Sequence, residues 1–272
     1  MRLLAELLTS AAARIGGDTA RLDAEVLLAH AIGCTRGEML LNQHRSIDPQ
    51  RYETMVDRRA NGEPVAHITG TREFWSLDLI VTPDVLIPRP DSETLIEVAL
   101  RLCHRPPARI LDLGTGSGAL LLAALTEWPA ATGLGIDASP AALEIAKANA
   151  LRNGLAARVD FRLGDWGAGL AERFDLILCN PPYIGTDEAL SDQVRRHEPA
   201  GALFAGADGL DDYRLILPQL ASLLADDGLA VLEIGHAQGP ALMAMAARQG
   251  LAATLHRDLA GRDRCVALRV RP

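Results

Sequence analysis

Lysine is nearly absent from this chain: Lys147 is the single lysine in 272 residues, and arginine supplies the rest of the basic charge. That bias reads as a genome-composition effect rather than a site. Positive charge is also in deficit, with 27 basic against 35 acidic residues and a net charge of −8. A general nucleic-acid binder draws much of its affinity from neutralising phosphates, so the balance argues against one. The deficit is uneven. Residues 1–72 hold nine arginines and nine acidic residues, and the acidic excess lies wholly in 73–272. Cysteines are few and scattered: Cys34, Cys103, Cys179 and Cys265 form no CxxC and no paired-histidine spacing. This excludes a disulfide scaffold and a zinc module and fits a reducing compartment. Long apolar runs are missing too. No stretch is long enough to cross a bilayer, and Glu6 interrupts the apolar N-terminal run as an amphipathic helix would, unlike a targeting peptide. The cytoplasm is the default location. Low-complexity tracts are absent, so with 49% apolar residues a globular chain with one large and one smaller domain is expected.

What is present divides into three. Residues 1–72 read as helices. Leu3, Leu4, Leu7 and Leu8 recur at helical spacing, as do Ala24, Leu27, Leu28 and Ala31. Asp23 suits the start of the second helix and Gly33 its end, with further helices over Arg36–Asn42 and Pro49–Ala60. Such a bundle serves either as a stability cap or as a docking domain. Residues 73–87 alternate through Trp75, Leu77, Leu79 and Val81 and then turn at Pro83-Asp84, which predicts a linking β-hairpin. From 88 to 272 strands alternate with helices. Strands are expected at 108–113, 132–137, 159–164, 174–180 and 229–234, with helices at 92–103, 118–126 and 140–153. That rhythm predicts an α/β fold, a mostly parallel sheet covered by helices. Two last strands, 254–258 and 265–270, suggest an antiparallel strand closing the sheet edge.

The segment ILDLGTGSGAL, residues 110–120, is a strand entering a glycine turn and then a helix. Gly114, Gly116 and Gly118 permit a tight turn and close backbone approach by a ligand, and the helix start offers free N–H groups. Asp137 ends the next strand, where a carboxylate accepts both hydroxyls of a ribose. A dinucleotide site competes at this point, because Gly114-x-Gly116-x-x-Ala119 satisfies that fingerprint as well. Asp112 decides against it: a carboxylate beside the ligand's centre repels a pyrophosphate but favours the sulfonium and ammonium of S-adenosylmethionine. Asp112 as a turn cap and Asp137 as a helix N-cap are the structural alternatives. Asp165 and Trp166, after the third strand, are candidates for the adenine pocket, or else an ordinary turn with a half-buried ring.

The most specific signal is Asn180-Pro181-Pro182-Tyr183, directly after a buried-type strand. Two prolines stiffen the loop and bias Asn180 toward extended backbone. The Asn180 amide oxygen and the Pro181 carbonyl can then each accept one hydrogen of an NH2 group, with Tyr183 offering a flat face. An amide nitrogen is a poor nucleophile, so methyl transfer to it needs orientation and acceptors for the positive charge that develops, not a base or a metal.

These residues, with DAEVLLAHAIG, GEPVAHITGTREFW, LIPRPDSETLIE, Glu198-Pro199 and LEIGH, make the chain resemble the PrmC/HemK glutamine N5-methyltransferases over nearly its whole length. Ser92 stands where that family usually has Thr, and His67 where Tyr is common. The resemblance implies a class I Rossmann-like, seven-stranded methyltransferase domain behind a substrate-recognition helical domain. It implies S-adenosylmethionine as cofactor, held by Gly114, Thr115, Gly116, Ser117, Gly118 and Asp137, with Trp166 on the adenine side. Asn180 would touch cofactor and substrate, and Pro181, Pro182 and Tyr183 would hold the substrate. That substrate would be the glutamine of the Gly-Gly-Gln loop of class I peptide-chain release factors. The rival readings are a glutamine methyltransferase acting on a ribosomal protein, an adenine-N6 nucleic-acid methyltransferase, and a cofactor-binding module without turnover. The acidic charge opposes the second rival and the intact tetrapeptide the third.

Overall fold

The computed structural model describes residues 2–41 and 46–271, and these divide into two compact units. The first comprises Met1–Thr71 together with Leu190–His197, the second Arg72–Ala189 with Glu198–Pro272.

The first unit is built on helices α1 (Leu4–Ile15), α2 (Ala20–Ile32), α3 (Arg36–Leu41), α4 (Gln50–Ala60) and α5 (Val65–Thr69). A short antiparallel ladder joins β1 (Arg2–Leu3) to β2 (Ser46–Ile47). The helical periodicity faces inward at Leu4, Leu7, Leu8, Leu27 and Leu28, which share one core with Tyr52 and Val56, whereas Leu3 precedes the helix in β1 and is exposed. Gly33 ends α2 in the left-handed conformation, at φ 70°, and its N–H reaches back to Ala29 and His30. Thr35 and Glu38 form a reciprocal capping box on α3. Asp23 does not begin α2. It lies one turn inside the helix and pairs with Arg59 of α4 at 2.8 Å, both side chains largely buried. Helix α5 is an addition, too short to show periodicity. The grouping of Leu190–His197 with this unit also differs from the sequence boundaries; here α9 (Asp192–His197) offers Gln193 to Arg59.

The second unit opens at Arg72, within the hairpin of β3 (Thr71–Phe74) and β4 (Leu77–Ile80). Its turn is Trp75-Ser76, both at positive φ (51° and 62°), the requirement of a two-residue primed turn. Pro83-Asp84 makes a separate turn closed from Val85 N–H to the Thr82 carbonyl, so the hairpin reverses earlier than the alternation suggested. Helix α6 (Glu93–Leu102) follows. The sheet then takes β5 (Arg109–Leu113), β6 (Thr132–Asp137), β7 (Val159–Leu163), β8 (Phe174–Cys179), β9 (Leu224–Glu233), β10 (Leu251–Arg257) and β11 (Asp263–Val270). Their order is β10-β11-β9-β8-β5-β6-β7. All are parallel except β11, which runs antiparallel to both its neighbours. The antiparallel strand is therefore one place in from the edge, not at it. The β10–β11 hairpin inserts β11 against β9 and leaves β10 outermost, which the spacing of the two strands alone does not reveal.

Period two assigns each strand residue a face. Ile110, Leu176, Leu178 and Val231 join α6 and α7 (Ala119–Glu127) in one core. Leu111, Ile177, Ala230 and Leu232 join α10 (Asp211–Leu223) and α11 (Gly239–Arg248) in the other. Helix α8 (Pro140–Arg152) carries the fully buried Asn149, which ties three segments together. Its amide donates to the carbonyls of Ile80 and Ser117 and accepts from the Ile80 N–H at 2.6 Å. Asn149→Ala should leave these backbone groups unpaired and lower unfolding free energy by about 1–3 kcal/mol. A urea titration checks this through the midpoint at unchanged slope; a midpoint equal to the parent's would show that water replaces the amide.

Candidate active site

The chain runs β5 to β6 to β7 outward on one side, then returns to place β8 on the other side of β5. Their carboxyl ends meet at this reversal, and a cleft of about 510 Å³ opens there. Asp112, Gly114, Thr115, Gly116 and Ser117 of the glycine loop, Asp137, Asp165, Trp166, Asn180 and Pro182 line it, while Gly118 is not part of the lining. The loop after β5 closes on β6, since the N–H groups of Gly114 and Thr115 both donate to the Ile136 carbonyl at 2.9 Å. Gly114 sits at φ 70°, where a side chain is strained, and a Cβ there would also crowd the Trp166 ring at 3.1 Å. Gly118 takes φ 83° at the start of α7.

Asp137 accepts from the Gly116 N–H and the Ser139 N–H, each at 2.8 Å. It is not the N-cap of α8; Ser139 is, accepting from Ala142. The Asp137 carboxylate is therefore pinned by backbone with lone pairs left over toward the cleft. Asp112 is 1% exposed. One oxygen takes the Thr115 hydroxyl at 2.6 Å and the other, Oδ1, has no hydrogen bond. Burial, with the Asp137 charge adding, pushes its carboxyl up to about 7 against the pull of Thr115. Trp166 holds φ 51°, a strained conformation for an aromatic residue, and its ring packs on the core beneath the loop. Asp212, beyond the expected set, shares this part of the wall, and burial raises its carboxyl as well.

The tetrapeptide splits between wall and interior. Asn180 and Pro182 face the cleft. Pro181 is buried, and Tyr183 packs on the core with its hydroxyl directed to Glu233 at 3.3 Å. The flat face expected of Tyr183 is thus not part of the cleft wall. The following loop is held from behind, with Gln238 donating to the Tyr183 carbonyl and Ile184 bridging to the 203–205 segment. Asn180 donates from Nδ2 to the Ser92 hydroxyl at 3.2 Å, which leaves its oxygen as the free acceptor. A further pair shapes the rim. Buried Glu198 binds the Arg89 guanidinium at 2.5 Å and the Ile87 N–H at 3.2 Å, joining the IPRP segment to Glu198-Pro199. Arg89, Ser92, Glu198 and Glu233 all lie in the segments that carry the family resemblance, yet no spacing rule marks any of them as a site residue. Among the described residues no cluster suits a metal ion, and no helix is long and apolar enough to cross a membrane.

Comparison with known proteins agrees with this architecture. Residues 6–70 match the family model of the PrmC N-terminal domain, and residues 104–233 match that of a methyltransferase domain. The release factor glutamine methyltransferase of Rhodospirillum rubrum is 43% identical over 94% of this chain and 81% of its own length. Its counterpart in Cereibacter sphaeroides is 45% identical over 95% and 94%. Among solved structures, the ribosomal protein L11 methylase of Lactobacillus delbrueckii subsp. bulgaricus superposes with a TM-score of 0.52 at 23% identity. That match covers 68% of this chain and 81% of the other and shows a shared fold. With near-complete coverage by relatives of this similarity, the chain belongs to the release factor glutamine methyltransferase family.

Proposed function

We propose that this protein transfers a methyl group from S-adenosylmethionine to the side-chain amide nitrogen, N5, of a glutamine, that of the Gly-Gly-Gln motif in a class I peptide-chain release factor. The observation that carries the chemistry is Asn180: its amide is turned with Nδ2 on Ser92 and its oxygen unpaired, at the strand end beside the glycine loop. The cofactor supplies a methyl group on a positively charged sulfur. The donor set fits it. The orphaned Oδ1 of Asp112 matches a cationic amine or sulfonium, Asp137 matches a ribose diol, and Asp165, Asp212 and Trp166 match an adenine edge and face. A pyrophosphate in the same place would meet Asp112 and Asp137 with like charge. Asn180 accepts one hydrogen of the substrate NH2, fixes its plane and stabilises positive charge as the nitrogen is alkylated. Surplus protons leave to solvent, and no buried base is needed. The helical unit, electrically neutral and with its own core, acts in this reading as the recognition domain for the folded release factor, whose binding energy positions the glutamine.

Asn180→Ala should leave the fold intact and cut turnover on intact release factor by about 10²–10³. Normal turnover by that variant, in a methyl-transfer assay mapped by mass spectrometry, would refute the orientation mechanism. Binding should also be linked to protons. The Asp112 carboxyl, raised to about 7, is mostly protonated at about pH 6 in the free protein, and a cation selects its ionised form. Cofactor binding at about pH 6 should then release close to one proton and tighten as pH rises toward 7. Calorimetry in buffers of different ionisation enthalpy reads this release, and Asp112→Asn should abolish it and weaken binding. Equal proton counts for the two proteins would show that Asp112 does not meet the cation.

A further inference from the structure

The charged wall of the cleft is acidic with one exception. Asp84, Asp112, Asp137, Asp165 and Asp212 line it, and Arg89 is its one basic residue among the described residues. Local sequence fixes where that arginine stands. Pro88 and Pro90 flank it, and a residue before proline is held to extended backbone; Arg89 adopts φ −97° and ψ 140°. Its carbonyl accepts from the Ser92 N–H at 3.1 Å, and the Ser92 hydroxyl accepts from the Asn180 amide at 3.2 Å. Two hydrogen bonds therefore connect the root of this side chain to the amide proposed to hold the reacting nitrogen.

The guanidinium is held as well. Glu198, its side chain 2% exposed, accepts from Nη2 of Arg89 at 2.5 Å and, with its other oxygen, from the Ile87 N–H. A guanidinium has five N–H donors and no acceptor. The Arg89 side chain stays 37% exposed, and among the described residues its Nε and Nη1 meet no acceptor. The ion pair is neutral as a whole, so it offers directed donors without net charge. Such an array suits a carbonyl oxygen; an anion would also meet the repulsion of the five aspartates. The Gly-Gly-Gln loop supplies the match. Its two glycines have no side chains, and of their main-chain groups an arginine can bind only the carbonyls. The carbonyl of the glutamine side chain is the poorer target, because a cationic donor there draws electron density from the nitrogen that must attack.

We propose that Arg89, held by Glu198, is a substrate-binding residue that donates to the main-chain carbonyl of one of the two glycines and so sets how the glutamine enters the cleft. The inference rests on the proposed methyl transfer to that loop.

A double-mutant cycle between enzyme and substrate tests it. Synthetic Gly-Gly-Gln peptides carry an ester in place of the Gly–Gly or the Gly–Gln amide, which weakens one glycine carbonyl as an acceptor. The full-length variant combines Arg89→Met with Glu198→Gln. It removes the guanidinium without leaving a buried carboxylate unpaired and keeps an acceptor for the Ile87 N–H. Its affinity for S-adenosylmethionine should stay within about twofold of the parent's, while kcat/KM on the all-amide peptide falls by about tenfold to a hundredfold. One of the two esters should cost the parent enzyme about fivefold and the variant almost nothing. If the double variant does not fold, Arg89→Lys, which keeps the ion pair without the planar fork, enters the same cycle and should at least halve the ester effect. Ester effects equal in parent and variant would overturn the proposal whatever the loss of rate, because a residue that only supports the wall does not distinguish an ester from an amide. So would two esters that cost the parent nothing. Absence of methylation by the parent enzyme, on the peptide and on intact release factor alike, would refute the methyl-transfer reading instead; peptide affinities measured by fluorescence anisotropy then complete the cycle and decide the contact.

Discussion

The parallel pairing of β5 with β8 is the constraint on which the site depends. Ile110 to Leu113 align with Leu176 to Cys179, so both strands finish at the same level and the residues that follow emerge side by side. Those residues are the glycine loop and Asn180. A shift of one residue in this register would also turn every apolar side chain of β8 to the opposite core. Burial on both faces thus holds the two halves of the site in place, at no cost to the loops themselves. The prolines after Asn180 and the hydrogen bonds from Gln238 and Ile184 then prevent the second loop from relaxing.

Around that pairing the second unit concentrates carboxylates where a cationic ligand would lie. Asp112 and Glu233 are both nearly solvent-free and both displaced upward by burial, but they serve opposite ends of the arrangement. Asp112, in the wall of the cleft, keeps its buried Oδ1 without a hydrogen bond. Glu233 turns away from it and holds Tyr183. A buried carboxyl without a full set of partners is costly, and for Asp112 that cost lies in the cleft wall. The Arg89–Glu198 pair is of another kind, a fully partnered buried carboxylate that locks two distant segments at the rim.

Much of this was legible residue by residue. The helical spacing of Leu4, Leu7 and Leu8, the strand endings at Leu113 and Asp137, and the extended segment before Asn180 appear where local pattern places them, because burial at a fixed period leaves a trace in the sequence. The trace fades where contacts are non-local. Asp23 looks like a helix cap until Arg59 is seen to claim it. Tyr183, expected to offer a flat face, packs on the core with its hydroxyl on Glu233, 50 residues away in the chain. The place of β11 within the sheet depends on which edge the final hairpin enters.

The sequence by itself determined the chemistry on offer: a stiff Asn-Pro-Pro-Tyr loop, a glycine turn with acids before and after it, a neutral helical region, and no metal-ligand or disulfide pattern. Those are properties of residue type and short spacing, which neighbours along the chain set. Only the tertiary structure decided which atoms remain free. It assigned Ser139 rather than Asp137 as the helix cap, left Oδ1 of Asp112 without a partner, and set the Asn180 amide against Ser92, 88 positions earlier in the chain. Hydrogen bonds of that span depend on the order of strands in the sheet, and no local rule encodes that order.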